Sequence, residues 1–293
     1  MNLLEAIFMG ILQGVTEFLP VSSSGHLAIL KNLIGLKDVG LAFDILLHLG
    51  TLIAVFVAFR KDIWELIVNG IGIICDACIN IGRLIKNRFI KDKSKKLQYK
   101  KILETPYRRF VMLVIVSTIP TGIMGILLND KVENMGKHLI IPGICLLITG
   151  VLLLIADSLP SGKKDEKTVS YPNALFVGIC QGLATLPGIS RSGTTITACL
   201  GCGLNKEFAV KYSFIMSIPV ILGAAVLEVP ALANESLLAS QWASYITGMA
   251  FAAVVGYICI KTMLKIVKNK KFKGFAYYCF AMGVFAIIMS FIK

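Results

Sequence analysis

The sequence predicts an all-α integral membrane protein with an inverted-topology repeat, each half being a re-entrant helical hairpin followed by three transmembrane helices. Three observations support this prediction. The 293 residues are 56% hydrophobic, with a mean hydropathy of +0.78, which is too apolar for an ordinary soluble domain. Six apolar runs are long enough to cross about 30 Å of hydrocarbon. One interrupted apolar segment occurs twice.

The uninterrupted apolar runs predict the helices that cross the membrane. These runs are 41–59, 110–128, 138–156, 212–232, 241–262 and 274–292. Segments 1–35 and 172–204 are also apolar but are broken in the middle, and each arm has only about 12 to 15 residues, too few to cross alone. We therefore expect two re-entrant hairpins. The first lacks the basic region and cleavage pattern of a signal peptide, so we expect it to be retained.

The two broken segments are copies of one another. Residues 6–25 and 174–193, aligned without a gap, are identical at nine of twenty positions. In the first copy these are Ala6, Phe8, Gly10, Ile11, Gln13, Gly14, Ser22, Ser24 and Gly25. A duplicated, interrupted hydrophobic segment is the sequence feature that best indicates a binding site at the bilayer midplane.

The uneven distribution of lysine and arginine predicts the topology. Thirteen lie in 60–109, three in 157–171 and five in 263–273, whereas the loops predicted on the other side hold five. Because cytoplasmic loops are enriched in Lys and Arg, the three basic segments are expected in the cytoplasm. The run at 86–101 has few aromatic or base-reading residues, which favours this interpretation over nucleic-acid binding.

The chain divides into two halves of similar plan. The first repeat covers 1–156 and includes the basic cytoplasmic segment 60–109, a cytoplasmic linker covers 157–171, and the second repeat covers 172–293. Three spans separate the two hairpins, and an odd number inverts the second hairpin relative to the first. A seventh span at 63–85 would make the repeats parallel, but its polar residues favour an amphipathic helix at the membrane interface.

The first break carries a carboxylate and a histidine. Gln13 and Glu17 lie one helical turn apart, directly before the break at Pro20. A carboxylate at membrane depth costs about 2.5–3.5 kcal/mol on insertion scales, so Glu17 is a functional candidate. Residues 22–25 (Ser22, Ser23, Ser24 and Gly25) open the second half-helix, where serines cap free N–H groups and the helix dipole favours an anion. His26 follows them and is the best general acid–base candidate in the chain.

The second break carries the complementary positive charge. It places an arginine among small hydroxylated residues at another half-helix N-terminus: Ser190, Arg191, Ser192, Gly193, Thr194 and Thr195. A guanidinium matches two phosphate oxygens bidentately. The other interpretation is that Arg191 pairs with Glu17, which would also join the two repeats.

The stretches QGVTEFLPVSSSGH (13–26) and LPGISRSGTTI (186–196) resemble the two signature regions of the undecaprenyl-diphosphate phosphatase family, the bacitracin-resistance type called BacA or UppP. The resemblance covers the whole chain in length, span order and repeat spacing. It implies a bacterial plasma-membrane enzyme that hydrolyses undecaprenyl (C55 polyprenyl) diphosphate to the monophosphate and inorganic phosphate. Such an enzyme recycles the carrier lipid for peptidoglycan synthesis and confers bacitracin resistance.

The expected roles combine the residues with this resemblance. The catalytic residues are Glu17, Ser23, His26 and Arg191, with either Ser23 or an activated water as the nucleophile. The substrate-binding residues are Gln13, Ser22, Ser24, Gly25, Ser190, Ser192, Gly193, Thr194 and Thr195. Glu17, with help from Gln13, is expected either to bind a divalent cation, Mg²⁺ or Ca²⁺, that bridges the phosphates or to act as the base.

The expected partners are the polyprenyl diphosphate lipid and the membrane, with no nucleic acid, and association into a homodimer is left open. We expect a multi-pass protein of the bacterial plasma membrane whose active site opens to the extracytoplasmic side. An alternative function remains, because inverted repeats with broken helices also build transporters. The same site could then move an anionic lipid or a small anion across the membrane.

Overall fold

The computed structural model describes residues 2–33, 41–136, 138–233, 239–268 and 272–292. These ranges contain eleven α-helices: α1 (Leu3–Phe18), α2 (Ser23–Leu33), α3 (Leu41–Ala58), α4 (Arg60–Phe89), α5 (Pro106–Gly136), α6 (Ile140–Ser158), α7 (Tyr171–Leu183), α8 (Arg191–Gly201), α9 (Lys206–Ala233), α10 (Ala239–Lys268) and α11 (Lys273–Ile292). The predicted loop position Lys37 and parts of the predicted loops 129–137 and 233–240 lie outside the described residues.

Six helices in the described ranges are long and apolar enough to cross a membrane, which confirms the prediction of an all-α integral membrane protein. Five of them, in α5, α6, α9, α10 and α11, coincide with predicted spans. The sixth is α4, for which the sequence favours an interfacial position. The remaining predicted span, 41–59, corresponds to α3, whose apolar part is shorter.

Both predicted hairpins are broken helices in the structure. In the first, α1 ends at Phe18 and Leu19 adopts an extended backbone, so that α2 starts only at Ser23. Ser22 lies in the left-handed region at φ +70°, which turns the chain sharply just before α2. In the second hairpin, Gly188 takes a positive φ of +96° between α7 and α8. Gly188 takes this conformation without the steric cost of a Cβ, whereas Ser22 adopts it as a non-glycine residue, and both lie where a helix is interrupted within an apolar segment.

Each hairpin packs on a helix of the opposite half. A Cβ placed on Gly14 would lie 2.9 Å from backbone atoms of Ala252 and Gly256, so α1 and α10 are in close backbone contact. In the second copy the backbone contact with α5 is made by Gly178, where a Cβ would collide with the backbone oxygen of Ser117, while Gly182 faces the Met124 side chain. Small residues allow this close approach, which locks the two halves together.

The helices α3 and α9, each of which follows one of the hairpins, run antiparallel. Asp62, just after the end of α3, accepts a hydrogen bond from Lys211, near the start of α9, at 3.0 Å. At the opposite ends of the same helices, Asp44 and Glu228 border one cavity. Likewise, Asp157 near the end of α6 accepts from the backbone N–H of Phe272, which precedes α11, at 2.9 Å.

The segment between α3 and α5 leaves the helix bundle and returns to the same place. After α4, residues 90–105 run back along it: Asn87 pairs with the backbone of Leu97 and Asn80 with that of Lys100. Tyr107, at the start of α5, then donates to Asp62, at the start of α4, at 3.1 Å. The start of α4 and the start of α5 therefore lie at the same end of the bundle.

Candidate active site

The tips of the two hairpins meet through reciprocal contacts. A Cβ on Gly25 would lie 3.1 Å from the Cα of Gly188, and a Cβ on Gly193 would lie 3.3 Å from the Cβ of Pro20. Gly25 and Gly193 occupy equivalent positions in the two copies, and so do Pro20 and Gly188. The backbone N–H of Gly188 also donates to Ser24 Oγ at 3.1 Å. Small residues are needed at both contacts because one hairpin tip approaches the backbone of the other at Gly188 and its proline ring at Pro20.

The serines of each tip form the same local network. Ser22 Oγ accepts from the backbone N–H of Gly25 at 3.3 Å, and Ser190 Oγ accepts from that of Gly193 at 3.1 Å. Each of these hydroxyls also contacts the serine two residues later, at 3.2 Å in the first copy and 3.3 Å in the second. They therefore cap the N-termini of α2 and α8, as expected for serine at this position.

Glu17 accepts hydrogen bonds from side chains of both copies of the repeated segment. Its Oε2 accepts from Gln13 Nε2 at 3.0 Å and from Ser23 Oγ at 2.5 Å, while its Oε1 accepts from Arg191 Nη2. The carboxylate is 7% exposed, so its charge depends on these donors rather than on water. Ser23 and Arg191 occupy equivalent positions in the two copies, so both repeats contribute the same position to one carboxylate.

One nitrogen of the Arg191 guanidinium has no hydrogen-bond partner among the described residues. Its Nη2 is bonded to Glu17, but its Nη1 is buried and has no partner among the residues that the structure describes. The side chain projects from the first residue of α8 into the shared cavity. An unpaired guanidinium N–H at a helix N-terminus is a strong donor for an incoming anion.

A cavity of about 410 Å³ lies between the two tips. Its polar lining includes most of the charged and hydroxylated groups named above: Glu17, Ser22, Ser23, Ser24, Ser190 and Arg191. Apolar residues of α9, among them Val220 and Ile221, form part of the wall. The cavity also reaches Asp44, Val132 and Glu228, at the ends of α3, α5 and α9 that lie opposite Asp62. It therefore extends toward the side of the bundle away from the basic segment 60–109.

His26 is close to the tip but does not border this cavity. Its Nδ1 lies 2.7 Å from the backbone oxygen of Ser22, which makes Nδ1 the donor of that bond. Its Nε2 lies 2.8 Å from the hydroxyl of Tyr278, and the two rings stack with their planes 6° apart. In this geometry the imidazole holds the backbone of Ser22 in its left-handed conformation.

Several other predicted substrate-binding residues support the tips instead of lining the cavity. They are Gln13, Gly25, Ser192, Gly193, Thr194 and Thr195. Thr195, for example, donates to the backbone oxygen of Arg191 at 2.8 Å and contacts Ser213 Oγ at 2.6 Å, which fixes the first turn of α8 on α9. Their roles as substrate contacts remain predictions.

Gln181 borders the cavity but was not among the site residues predicted from the sequence. Its Nε2 donates to Thr121 Oγ1 at 3.2 Å, since the Thr121 hydroxyl hydrogen is directed to the backbone oxygens of Ser117 and Gly178. The carbonyl oxygen Oε1 is left buried without a donor in the described structure. Gln181 could have been predicted from the repeat, because it occupies the position in the second copy that is equivalent to Gln13. Asp44 and Glu228 were also missed, and only the packing of α3 on α9 brings them to the cavity.

Comparison with known protein sequences identifies the family to which this chain belongs. Residues 6–285 match the sequence model of the family described as bacitracin resistance protein BacA. The chain belongs to the BacA family. Proteins named undecaprenyl-diphosphatase from Methanosphaera stadtmanae and Methanobrevibacter smithii are 41% and 40% identical to it. These alignments span 290 and 291 residues, which is 99% of this chain and 99% and 98% of the two relatives.

A protein named undecaprenyl-diphosphatase 4 from Bacillus thuringiensis subsp. konkukian is 35% identical over 291 residues, covering 99% of this chain and 98% of that protein. The similarity to BacA family members thus runs over nearly the full length on both sides. It includes both broken hairpins and the helices packed around them.

Proposed function

We propose that this BacA family protein hydrolyses undecaprenyl diphosphate to the monophosphate and inorganic phosphate, and thereby recycles the carrier lipid for peptidoglycan synthesis and confers bacitracin resistance. Full-length similarity to proteins named undecaprenyl-diphosphatase supports the substrate. The structural observation that carries the proposal is the Ser23–Glu17–Arg191 cluster, which places a hydroxyl, a base and an unpaired anion donor on one cavity. Release of phosphate from undecaprenyl diphosphate by the purified protein tests it directly.

The cavity suits a diphosphate for two physical reasons. The helices α2 and α8 both begin there, and the positive ends of their dipoles favour an anion. The unpaired Nη1 of Arg191 can donate to a phosphate oxygen without first giving up its bond to Glu17. A transporter needs no proton-transfer pair such as Ser23 and Glu17, so the cluster favours the enzyme over the transporter alternative.

Ser23 is the proposed nucleophile. Its hydroxyl donates to Glu17 at 2.5 Å, the arrangement of a nucleophile beside its general base. As Ser23 Oγ attacks the terminal phosphorus, its proton passes to Glu17 and the bond from phosphorus to the bridging oxygen breaks, releasing the lipid monophosphate. Water then hydrolyses the phosphoserine, and Arg191 stabilises the negative charge on the transferred phosphoryl group in both steps.

Ser23→Ala is expected to abolish phosphate release, and wild-type protein quenched in acid should carry labelled phosphate on Ser23. Ser158→Ala is the control, because Ser158 donates to the backbone oxygen of Ile155 at the end of α6 and does not line the cavity. Mass spectrometry of the quenched protein and a phosphate-release assay provide the two measurements. Activity that survives in Ser23→Ala would instead identify water as the nucleophile, with the serines acting only as caps.

Two substitutions of His26 distinguish the predicted role in proton transfer from a role in positioning the backbone of Ser22. An asparagine at position 26 can reproduce the hydrogen bond to the Ser22 backbone, but it cannot exchange a proton near neutral pH. The contacts support positioning, so we expect His26→Asn to retain more than a tenth of wild-type kcat and His26→Ala to lose far more. Equal and severe loss in both variants, with a flattened pH profile, would favour proton transfer.

A divalent cation, Mg²⁺ or Ca²⁺, is proposed as the cofactor, with Glu17 and Gln13 as the predicted ligands. Bound there, it would neutralise charge on the diphosphate oxygens. The donor set fits, because two buried amide oxygens, Gln13 Oε1 and Gln181 Oε1, have no donor in the described structure, and hard cations take carboxylate and amide oxygens. Within the described ranges no three His, Cys, Asp or Glu side chains could together hold a metal. A single carboxylate supplemented by substrate phosphates and water is typical of Mg²⁺ sites.

We further propose that the halves form an inverted repeat and that the active site faces the extracytoplasmic side. The antiparallel direction of α3 and α9 supports the inversion. The basic residues cluster at the Asp62 end of the bundle, which is expected to be cytoplasmic, whereas the cavity extends to the other end.

This topology predicts opposite accessibility for two positions. In a variant lacking the eight native cysteines, Met135→Cys should react with a membrane-impermeant thiol reagent in intact cells, whereas Lys96→Cys should stay protected. Permeabilised cells provide the control, because both positions should then react. Labelling of Lys96→Cys in intact cells would reverse the proposed orientation.

A further inference from the structure

One side of α4 carries exposed apolar residues at regular spacing along the helix. Six of its residues recur every three, four or seven positions: Trp64, Ile67, Ile71, Ile74, Ile81 and Ile85. Their exposed fractions lie between 48% and 66%, although the helix packs on α5 near its start. Residues at this spacing share one face of a helix, so α4 presents a continuous apolar stripe that, along most of its length, is not covered by any part of the chain that the structure describes.

The opposite side of α4 is polar and already occupied. Asn69, Asn80 and Asn87 each bond to the returning segment 90–105, through Thr105, Lys100 and Leu97. Asp76 adds ion pairs with Lys100 at 2.7 Å and with Arg108 at 2.8 Å. The returning segment is therefore fixed along the polar side, leaving the apolar stripe as the free surface.

These contacts argue against a transmembrane position for α4, although it is long and apolar enough to cross. Residues 90–105 are mostly irregular and carry six lysines, and they lie alongside α4 from position 69 to position 87. Irregular backbone exposed to lipid does not occur within the hydrocarbon region, because its polar groups have no water to bond. The length and apolarity of α4 must therefore serve something other than crossing the bilayer.

We propose that residues 60–105 form an interfacial anchor, in which α4 lies in the plane of the membrane with its apolar stripe in the acyl boundary and its lysines and arginines attract anionic lipid headgroups. Segment 60–109 contains thirteen Lys or Arg against five Asp or Glu, a complement to an anionic lipid surface. The same excess positive charge opposes pairing of two such helices from two copies. A large apolar face with Trp and Ile, flanked by basic residues, is typical of interfacial helices.

Tryptophan fluorescence tests the anchor, because the chain has only two tryptophans, Trp64 and Trp242. In a variant with both replaced by phenylalanine, single tryptophans are introduced at Ile71 and at Ile81. The protein is reconstituted in vesicles containing phosphatidylglycerol and phosphatidylcholine, with lipids brominated at known depths. Both tryptophans should be quenched most by bromine near the headgroups, at one shallow depth. Ile148→Trp in α6 is the deep control, and Lys163→Trp, at an exposed position in the linker outside the anchor, is the unquenched control.

Three results would overturn the proposal. A depth that differs strongly between positions 71 and 81, with either near the bilayer centre, would make α4 a span. Absence of lipid quenching at both positions would place the stripe in water or, if soluble quenchers also fail, against a second copy. Unchanged quenching at position 81 in vesicles of phosphatidylcholine alone would remove the role of anionic lipid, since we expect a severalfold loss there.

Discussion

Replacing Arg191 by lysine is expected to lower phosphate release by about 100- to 1,000-fold, the range found when one preorganised donor to a reacting oxyanion is lost. Lysine keeps the positive charge but cannot bond Glu17 and a phosphate oxygen through two parallel N–H groups. In the structure, Arg191 does both from a single guanidinium, with Nη2 on Glu17 and Nη1 unpaired. The loss should therefore appear in kcat as well as KM, measured by phosphate release from a lipid diphosphate.

Arg109→Lys is the matched control for this prediction. Arg109 donates to the backbone oxygen of Val169 at 2.9 Å, at the basic end of the bundle and away from the cavity. Its replacement should leave kcat within about twofold of wild type. Near-native turnover in Arg191→Lys would show that position 191 needs only a positive charge, and the bidentate role would then be wrong.

The second large effect is expected for Glu17→Gln, which should lower kcat by about 100- to 10,000-fold, the contribution typical of a general base. The amide is nearly isosteric, but it cannot accept the Ser23 proton and presents an N–H group toward one of its donors. It also leaves Arg191 as a partly buried charge without a counter-charge, so the variant should be less stable as well as inactive.

A double variant separates these two consequences. Combining Glu17→Gln with Arg191→Met removes both buried charges, and replacing a whole buried ion pair by uncharged groups is often neutral for stability. The double variant should recover much of the thermal stability lost in Glu17→Gln but none of the activity. Recovery of activity together with stability would mean that Glu17 serves only to hold the fold. Glu5→Gln, in the capping box at the start of the same helix, is the control and should behave as wild type.

The membrane class and the two broken hairpins could be predicted from the sequence because they depend on local properties. Length and apolarity of each run determine whether a helix can cross the bilayer, and five of the six predicted spans coincide with long apolar helices. The first break could be predicted from Pro20, because proline does not continue a helix, and at the second break Gly188 allows a positive φ without steric cost.

Only some of the residues that form the site could be predicted from the sequence. Glu17 and Arg191 were evident, because charged residues beside a break in an apolar segment are costly unless they have a function. Gln181 could have been found by extending the repeat, since it is the counterpart of Gln13. Asp44 and Glu228 could not, because they lie 184 residues apart and reach one cavity only through the packing of α3 on α9.

The sequence by itself determined which segments are apolar, where they break and which end of the bundle is basic, since each follows from residue type and spacing. Only the tertiary structure decided that Ser23 and Arg191 share one carboxylate, and that His26 turns toward Tyr278 and not into the cavity. It also decided that residues 60–106 return to their starting point. The physical reason is that a side chain's partners depend on contacts between distant segments, which periodicity and composition along the chain do not encode.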